Sequence, residues 1–187
     1  MAALPARAKA LIRRLGLKPH PEGGYYREIH RSAENVQTSR GRRSGLTTIY
    51  FLLARGQKSV FHRVLADEAW HWYEGAPLRL IRVGADFRSR EKVKLGPVGK
   101  TDGQAFVIPR KDWQAAESLG DYTLVGCSVG PGFDFADFTL MQGGEMGVSI
   151  EQACVRIGLP RVRGGGRPLR HSRSHHGRAR PSPYRPR

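Results

Sequence analysis

The sequence predicts an all-β domain, preceded by one helix, whose short strands close into a sandwich or barrel. After the N-terminal segment, short apolar and β-branched runs alternate with turns rich in Gly, Pro and Asp. This pattern favours antiparallel strands over βαβ units. Hydrophobic residues make up 39% of the 187 residues, which is enough for one core. The expected strands are 25–30, 47–54, 59–64, 69–74, 78–83, 91–95, 106–108, 122–129 and 133–140.

Three segments outside these strands have their own signals. Leu4, Ala8, Leu11, Ile12 and Leu15 follow helical spacing that Gly16 ends, so the N-terminus predicts an amphipathic helix and lacks the apolar run of a signal peptide. The segment from Asp112 (DWQAAESLG) begins with a residue that caps helices, and could form one helical turn. The polar, basic segment 32–45 is expected to be a mobile loop over the mouth of the barrel.

One span, GQKSVFHRVLADEAWHWYEG at 56–75, combines turn glycines with metal-ligand residue types. His62 and position 64 lie two apart, so on a strand they share a face, and Glu68 follows four residues later. Imidazole and carboxylate are ligands that zinc, manganese, iron and nickel accept. The residue at position 64, however, is Val64.

The span resembles the first motif of the cupins, G-x5-H-x-H-x3,4-E-x6-G, with Val64 in place of the second histidine. The second cupin motif, G-x5-P-x-G-x2-H-x3-N, matches only at Gly103 and Pro109. Lys111, Gln114 and Ser118 stand at its second glycine, its metal-ligand histidine and its asparagine. The resemblance therefore leaves His62 and Glu68 as possible metal ligands, with two of the usual four missing.

Three further stretches narrow the resemblance to one branch of that superfamily. KPHPEGGYYREIHRS at 18–32, TTIYFLL at 47–53 and LVGCSVGPGFDFADF at 124–138 are similar to an uncharacterised family of cupins grouped with the rhamnose-pathway epimerase (RmlC-like) fold. The resemblance implies a cupin-type double-stranded β-helix, also called a jelly-roll barrel. Barrel cupins often dimerise through N-terminal strands, so we expect a homodimer.

Strand alternation sorts the residues near the motif into two faces. Glu68, Trp70 and Trp72 share one face, and His71 points to the other unless a β-bulge intervenes. The two tryptophans are expected either to fill the core or to form a pocket wall beside His62 and Glu68.

These residues support three functional hypotheses. The first is metal-independent epimerase- or isomerase-like chemistry on a small polar metabolite, such as a sugar or nucleotide-sugar, with His62 as base and Glu68 as its partner. Substrate contacts would come from Tyr26 and Arg27, or from Arg79 and Arg82. The second is a ligand-binding module in which Trp70 and Trp72 stack the ligand without turnover. The third retains a divalent metal on His62 and Glu68, completed by Gln114 or His71, and would give a metal-dependent isomerase or dioxygenase.

Other residues of these stretches have simpler interpretations. Glu22, Tyr25, Tyr26 and Glu28, around the Gly-Gly pair, fit a turn leading into an edge strand with no site involved. Asp134 and Asp137 would face opposite sides of their strand, and register decides whether either reaches the interior.

The C-terminal segment differs in composition from the rest of the chain, which divides it into a barrel domain at 1–151 and a tail at 152–187. The tail holds ten arginines and no Asp or Glu, and accounts for +10 of the net charge of +16. Such a segment cannot bury a core and is expected to be disordered. It could bind nucleic acid non-specifically, but we favour an accident of composition without function.

Cellular location is inferred from the cysteines and from hydropathy. Cys127 and Cys154 have no CxxC spacing, which favours reduced thiols in the cytoplasm. No apolar run approaches the length of a membrane span.

Overall fold

A computed structural model describes residues 3–141, and almost all of its regular structure is β. One helix, α1 (Ala6–Leu15), precedes thirteen strands. The strands are β1 (Lys18–Pro19), β2 (Tyr25–Arg31), β3 (Asn35–Thr38), β4 (Gly41–Ser44), β5 (Thr47–Ala54), β6 (Lys58–Val64), β7 (Asp67–Gly75), β8 (Leu78–Val83), β9 (Arg90–Leu95), β10 (Ala105–Ile108), β11 (Trp113–Ser118), β12 (Tyr122–Gly130) and β13 (Phe138–Leu140).

Two antiparallel sheets pack face to face, which confirms the predicted cupin-type jelly roll. One sheet has the strand order β1-β2-β5-β12-β7-β10 and the other has β13-β6-β11-β8-β9. Their inner faces enclose a core that includes Phe51, Trp70, Leu80, Leu95 and Val125. The chain crosses from one sheet to the other between β5 and β6 and again between β6 and β7, so β6 and β7, which carry His62 and Glu68, lie in opposite walls of the barrel.

The N-terminal helix forms as its spacing predicts and packs against the outside of the larger sheet. Gly16 ends α1 in the left-handed conformation, with φ of 63°, which a glycine adopts without a Cβ penalty. Ala8 and Leu11 bury their side chains against Leu52 and Leu124. The helix therefore covers the part of the outer face formed by β5 and β12.

The expected helical turn at Asp112 is wrong, because residues 113–118 form the central strand β11. This strand pairs with β6 on one side and β8 on the other, and two ladders of hydrogen bonds outweigh a local capping signal. The Asp112 carboxylate accepts hydrogen bonds from Arg82 and from the backbone N–H of Ala85 instead.

Two other expectations for irregular segments need correction. The segment expected to be a mobile loop contains the hairpin of β3 and β4, and Arg43 in β4 forms a bidentate ion pair with the buried Asp137. The strand expected at 133–140 begins only at Phe138, because Phe135–Asp137 forms a 3₁₀ turn whose Asp134 side chain caps the N–H of Ala136. The ion pair fixes the hairpin to this turn.

Within residues 3–141, no helix has the length and hydropathy needed to cross a membrane. Cys127 is buried on β12. Cys154 and the basic tail at 152–187 lie outside the described residues.

Candidate active site

A cavity of about 400 Å³ opens at one end of the barrel, between the two sheets. Its volume lies within the usual range for small-molecule sites. The lining comes from strands of both sheets, from the turn at 20–24 and from the segment at 133–138. The lining residues are His20, Glu22, Tyr26, Glu28, Arg31, Thr47, Ile49, Phe51, His62, Val64, Glu68, Cys127, Val129, Phe133, Asp134, Phe135 and Phe138.

A tight turn carries Glu22 into this cavity. The backbone N–H of Val60 donates to the Glu22 carbonyl at 3.0 Å, which docks the turn on β6. Gly23 and Gly24 follow with φ of 107° and 72°. A Cβ at Gly23 would lie 2.1 Å from the Lys58 carbonyl oxygen, and one at Gly24 would lie 2.7 Å from that of Leu52. The Gly-Gly pair therefore permits both the backbone conformation and the close approach that place Glu22.

We expect Gly23→Ala to reduce the free energy of unfolding by at least about 2 kcal/mol more than Gly56→Ala, because its methyl group would overlap backbone. Gly56 also has a positive φ, of 78°, but nothing lies within 4 Å of a Cβ added there. The Gly56→Ala variant therefore measures the cost of the backbone conformation alone. Urea denaturation of both variants makes the comparison. Equal losses would show that the turn does not need its contact with β6.

Glu22 and His62 form a buried pair in the cavity wall. The Nε2 of His62 lies 3.2 Å from a Glu22 carboxyl oxygen, and both side chains are at most 7% exposed. The other ring nitrogen, Nδ1, lies 2.8 Å from the carbonyl oxygen of Val60, so Nδ1 carries the donated hydrogen and Nε2 is left facing the carboxyl. Ser59 donates to the second Glu22 oxygen at 2.9 Å.

Burial sets the protonation of this pair. Desolvation raises the pKa of Glu22 to about 8 and lowers the pKa of His62, because a charged form loses its hydration inside the barrel. His20, on the other side of Glu22 at 3.7 Å, has its pKa lowered to about 4 by burial and by His62. At neutral pH Glu22 is therefore mainly protonated and His62 is neutral, so the Glu22 carboxyl can donate to Nε2 of His62.

A second buried carboxyl, Glu68, is held by a chain of side-chain hydrogen bonds. Gln114 donates to Glu68, and its amide oxygen accepts from the Trp70 indole at 2.8 Å. Burial raises the pKa of Glu68 to about 7, partly offset by His62 and by hydrogen bonds from Gln114 and Cys127. The cavity thus contains two carboxyls poised near neutral pH, a property typical of proton-transfer sites.

The donor set does not fit the metal that the cupin motif implies. Val64 offers no ligand, and both ends of the Gln114 amide are committed to Glu68 and Trp70. His62 directs one nitrogen to a carbonyl and the other to Glu22. Among residues 3–141, no group of three His, Cys, Asp or Glu side chains is arranged to hold a metal ion.

Aromatic rings and one ion pair form the outer part of the cavity. Phe133, Phe135 and Phe138 pack edge to face, and Phe138 lies over His62 with ring centroids 5.4 Å apart. Arg31 forms a bidentate ion pair with Glu28 and donates to the Phe133 carbonyl. The entrance is therefore apolar on one side and carries a neutralised ion pair on the other.

The structure places the residues singled out in the sequence at different depths and on different faces. Tyr26, His62 and Glu68 line the cavity. Trp70 and Trp72 point inward, as alternation predicts, but contribute to the core and do not line the cavity. The Trp72 indole donates to the Ala76 carbonyl. Gln114 lies behind Glu68, as a support for it.

The remaining predicted residues lie away from the cavity. Arg27 is exposed and His71 is half-buried on the outer face of the larger sheet. Arg79 and Arg82 pair with Glu117 and Asp112. None of these four residues lines the cavity, so substrate contacts from them are not supported by their positions.

Sequence reasoning missed Glu22 and His20 as site residues. Both belong to the PHPEGGY stretch, which was interpreted as a turn and an edge strand. The available signal was an acidic residue directly before two glycines, because a Gly-Gly pair permits close backbone approach. Spacing alone did not show what the turn approaches.

Comparisons with known proteins agree with this architecture. The family model described as "Cupin superfamily (DUF985)" matches residues 9–141. A hypothetical protein from Leishmania major is 35% identical, with a TM-score of 0.68, over 72% of this chain and 86% of that one. A Shewanella oneidensis protein is 34% identical, with a TM-score of 0.66, over 72% and 84%.

A more distant solved structure shares the fold alone. A mutant of the Bacillus subtilis oxalate decarboxylase is 15% identical, with a TM-score of 0.51, over 78% of this chain and 35% of that one. No curated protein matches the chain.

Proposed function

Because the chain belongs to the cupin superfamily, in the DUF985 family, we propose that it binds a small polar metabolite in the barrel cavity and transfers protons without a metal, as an epimerase or isomerase does. The observation that carries this proposal is the Glu22–His62 pair, with 3.2 Å between its polar atoms, beside a second buried carboxyl, Glu68. A sugar or related hydroxylated compound has the size and the hydrogen-bonding groups for such a cavity.

Two proton-transfer groups are available to such a ligand. The pKa of Glu68, raised to about 7, suits it to remove a proton from a carbon next to a carbonyl. The Glu22–His62 pair acts as one unit that gives or takes the second proton, because Val60 and Ser59 fix the orientation of both members. His62 was expected to act as the base with Glu68 as its partner, and its contact with Glu22 supports a role shared with Glu22 instead.

The test is solvent isotope exchange on a ligand found by screening. We expect sugars and related metabolites that raise the melting temperature to acquire deuterium at carbon when incubated with the protein in D₂O. His62→Asn, which cannot accept the proton, is expected to slow exchange by about 100-fold or more. The proposal fails if no metabolite binds in the cavity. Binding without exchange would support the alternative, a non-catalytic ligand-binding module.

Assembly and location also belong to this proposal. Ile29, Tyr73 and Val107 are exposed apolar residues of β2, β7 and β10, and they support a homodimer formed through the outer face of the larger sheet. Monomeric elution at micromolar concentration would contradict this. The cytoplasmic location and non-specific nucleic-acid binding by the basic tail stay predictions.

A further inference from the structure

Acidic side chains dominate the cavity, although the chain carries a net charge of +16. Four carboxyls line it, from Glu22, Glu28, Glu68 and Asp134, against one lysine or arginine, Arg31. Arg31 directs its guanidinium to both oxygens of Glu28 and to a backbone carbonyl. Among the lining residues, no cation is left to receive an anionic group of a ligand.

The histidines of the cavity do not change this balance. Burial lowers the pKa of both His20 and His62, so neither supplies positive charge at neutral pH. The side chain of His20 is only 8% exposed, and its Nδ1 accepts from the backbone N–H of Glu22. Because Nδ1 accepts and the ring is neutral, Nε2 carries the hydrogen and can donate a hydrogen bond to a ligand.

Aromatic faces complete the surroundings. Tyr26, Phe51 and Phe138 all line the cavity, and the ring of His20 lies edge-on to each of them with centroids 4.5 to 6.3 Å apart. Aromatic faces attract an organic cation through the ring quadrupole, most strongly where water is excluded. A phosphate or carboxylate at the same place would be repelled by the carboxyls and by the negative faces of the aromatic rings.

We propose that the ligand of this cavity carries a positively charged amine, held between the Glu22 and Glu68 carboxyls and against the aromatic wall. This inference rests on the proposed function, since it names the class of metabolite that the same site takes. An amino sugar or another hydroxylated amine fits it, and a nucleotide-sugar does not. The Nε2–H of His20 donates a hydrogen bond to a hydroxyl next to the amine.

Binding of an amine is coupled to proton release. Without a ligand, burial keeps Glu22 and Glu68 protonated near neutral pH, and a cation placed beside them favours their ionised forms. The titratable groups facing these carboxyls are His20, His62 and Cys127, from the 20–24 turn, β6 and β12, and all three are neutral there. The affinity for a permanently charged amine should therefore rise with pH between about 6 and 8, as the carboxyls lose their protons.

Three cyclohexane derivatives that share one ring and differ in charge test this inference. 4-Aminocyclohexanol is cationic, cyclohexane-1,4-diol is neutral, and 4-hydroxycyclohexanecarboxylate is anionic. By calorimetry at pH 7 we expect the amine to bind the full chain about tenfold more tightly than the diol, and the carboxylate not to bind. The heat of amine binding should also vary with the ionisation enthalpy of the buffer, since protons are released.

Isosteric variants connect the selectivity to the two carboxyls. Glu22→Gln and Glu68→Gln are each expected to weaken amine binding by about tenfold more than diol binding, and measurable diol binding shows that the cavity is intact. Asp121→Asn, at an exposed ion pair with Arg55, is the matched control and should change neither.

Equal or tighter binding of the diol or the carboxylate would overturn the amine inference while leaving a metabolite-binding cavity in place. Failure of the amine to bind at tens of millimolar would also overturn it. The proposed function fails separately, if the wider metabolite screen yields no ligand of any charge.

Discussion

Glu22→Gln is expected to stabilise the protein at pH 7 by about 3 kcal/mol, an unusual gain for a polar substitution in a site. The pKa of Glu22 is raised to about 8 from an ordinary 4.5, so the folded protein holds a proton that the unfolded chain has released. The contribution of Glu22 to the free energy of unfolding is fully present below pH 4.5 and is lost as the pH rises towards 8. Glutamine does not titrate, and it keeps both hydrogen bonds, accepting from Ser59 and donating to His62.

Urea denaturation between pH 5 and 8 measures this effect. The difference in unfolding free energy between Glu22→Gln and the parent protein should grow with pH, by up to about 1.4 kcal/mol per unit. Glu74→Gln is the control of opposite sign, because hydrogen bonds from Arg7 and Tyr122 lower the pKa of Glu74 to about 2, so its loss should destabilise the protein at neutral pH. Destabilisation by Glu22→Gln would instead indicate a Glu22 carboxylate paired with a charged His62.

The same substitution should impair function, since the amide cannot exchange a proton with His62. A gain in stability together with a loss of isotope exchange is the pattern expected where a site residue is kept at a cost to folding. It distinguishes an acid–base role for Glu22 from a merely structural one.

Val64→His combined with Gln114→His is expected to create a site that binds a metal ion. The two substitutions restore the histidines of the cupin motifs beside His62 and Glu68, and three histidines with one carboxylate are a ligand set that zinc and nickel accept. Both positions point inward, Val64 from β6 and Gln114 from β11 opposite His62.

Elemental analysis of untagged protein after incubation with zinc or nickel measures the metal bound per protein. We expect near-stoichiometric metal in the double variant, its loss when His62→Ala is added, and little metal in the parent protein. Val98→His, at a position that is 76% exposed, controls for adventitious binding by a new histidine. Stoichiometric metal in the parent protein, lost in His62→Ala, would favour the metal-dependent alternative over acid–base chemistry.

The fold was predictable from the sequence, but the composition of the site was only partly so. Alternation along β7 assigned Glu68, Trp70 and Trp72 to the inner face and His71 to the outer one, as the structure has them. Alternation gives the face of a strand and not the depth along the barrel, which is why Trp70 and Trp72 lie in the core beyond the cavity.

Residues placed by long-range contacts escaped prediction. Glu22 enters the cavity because its carbonyl accepts from Val60, 38 positions along the chain, and a local pattern shows only a turn. The segment at Asp112 failed for a similar reason, since its pairing with β6 and β8 overrides a helix-capping residue.

The central claim is that Glu22 and Glu68 are buried acid–base groups that hold protons near neutral pH, and infrared spectroscopy of the carboxyl C=O stretch tests it most directly. Exposed carboxyls are ionised at pH 6, so a protonated-acid band at that pH reports buried groups. We expect the parent protein to show such a band at pH 6 and to lose it by pH 9. At pH 6, the band should be weaker in Glu22→Gln and absent from the variant that combines Glu22→Gln with Glu68→Gln. A parent protein without the band at pH 6 would mean that both carboxyls are ionised, and would contradict the acid–base account.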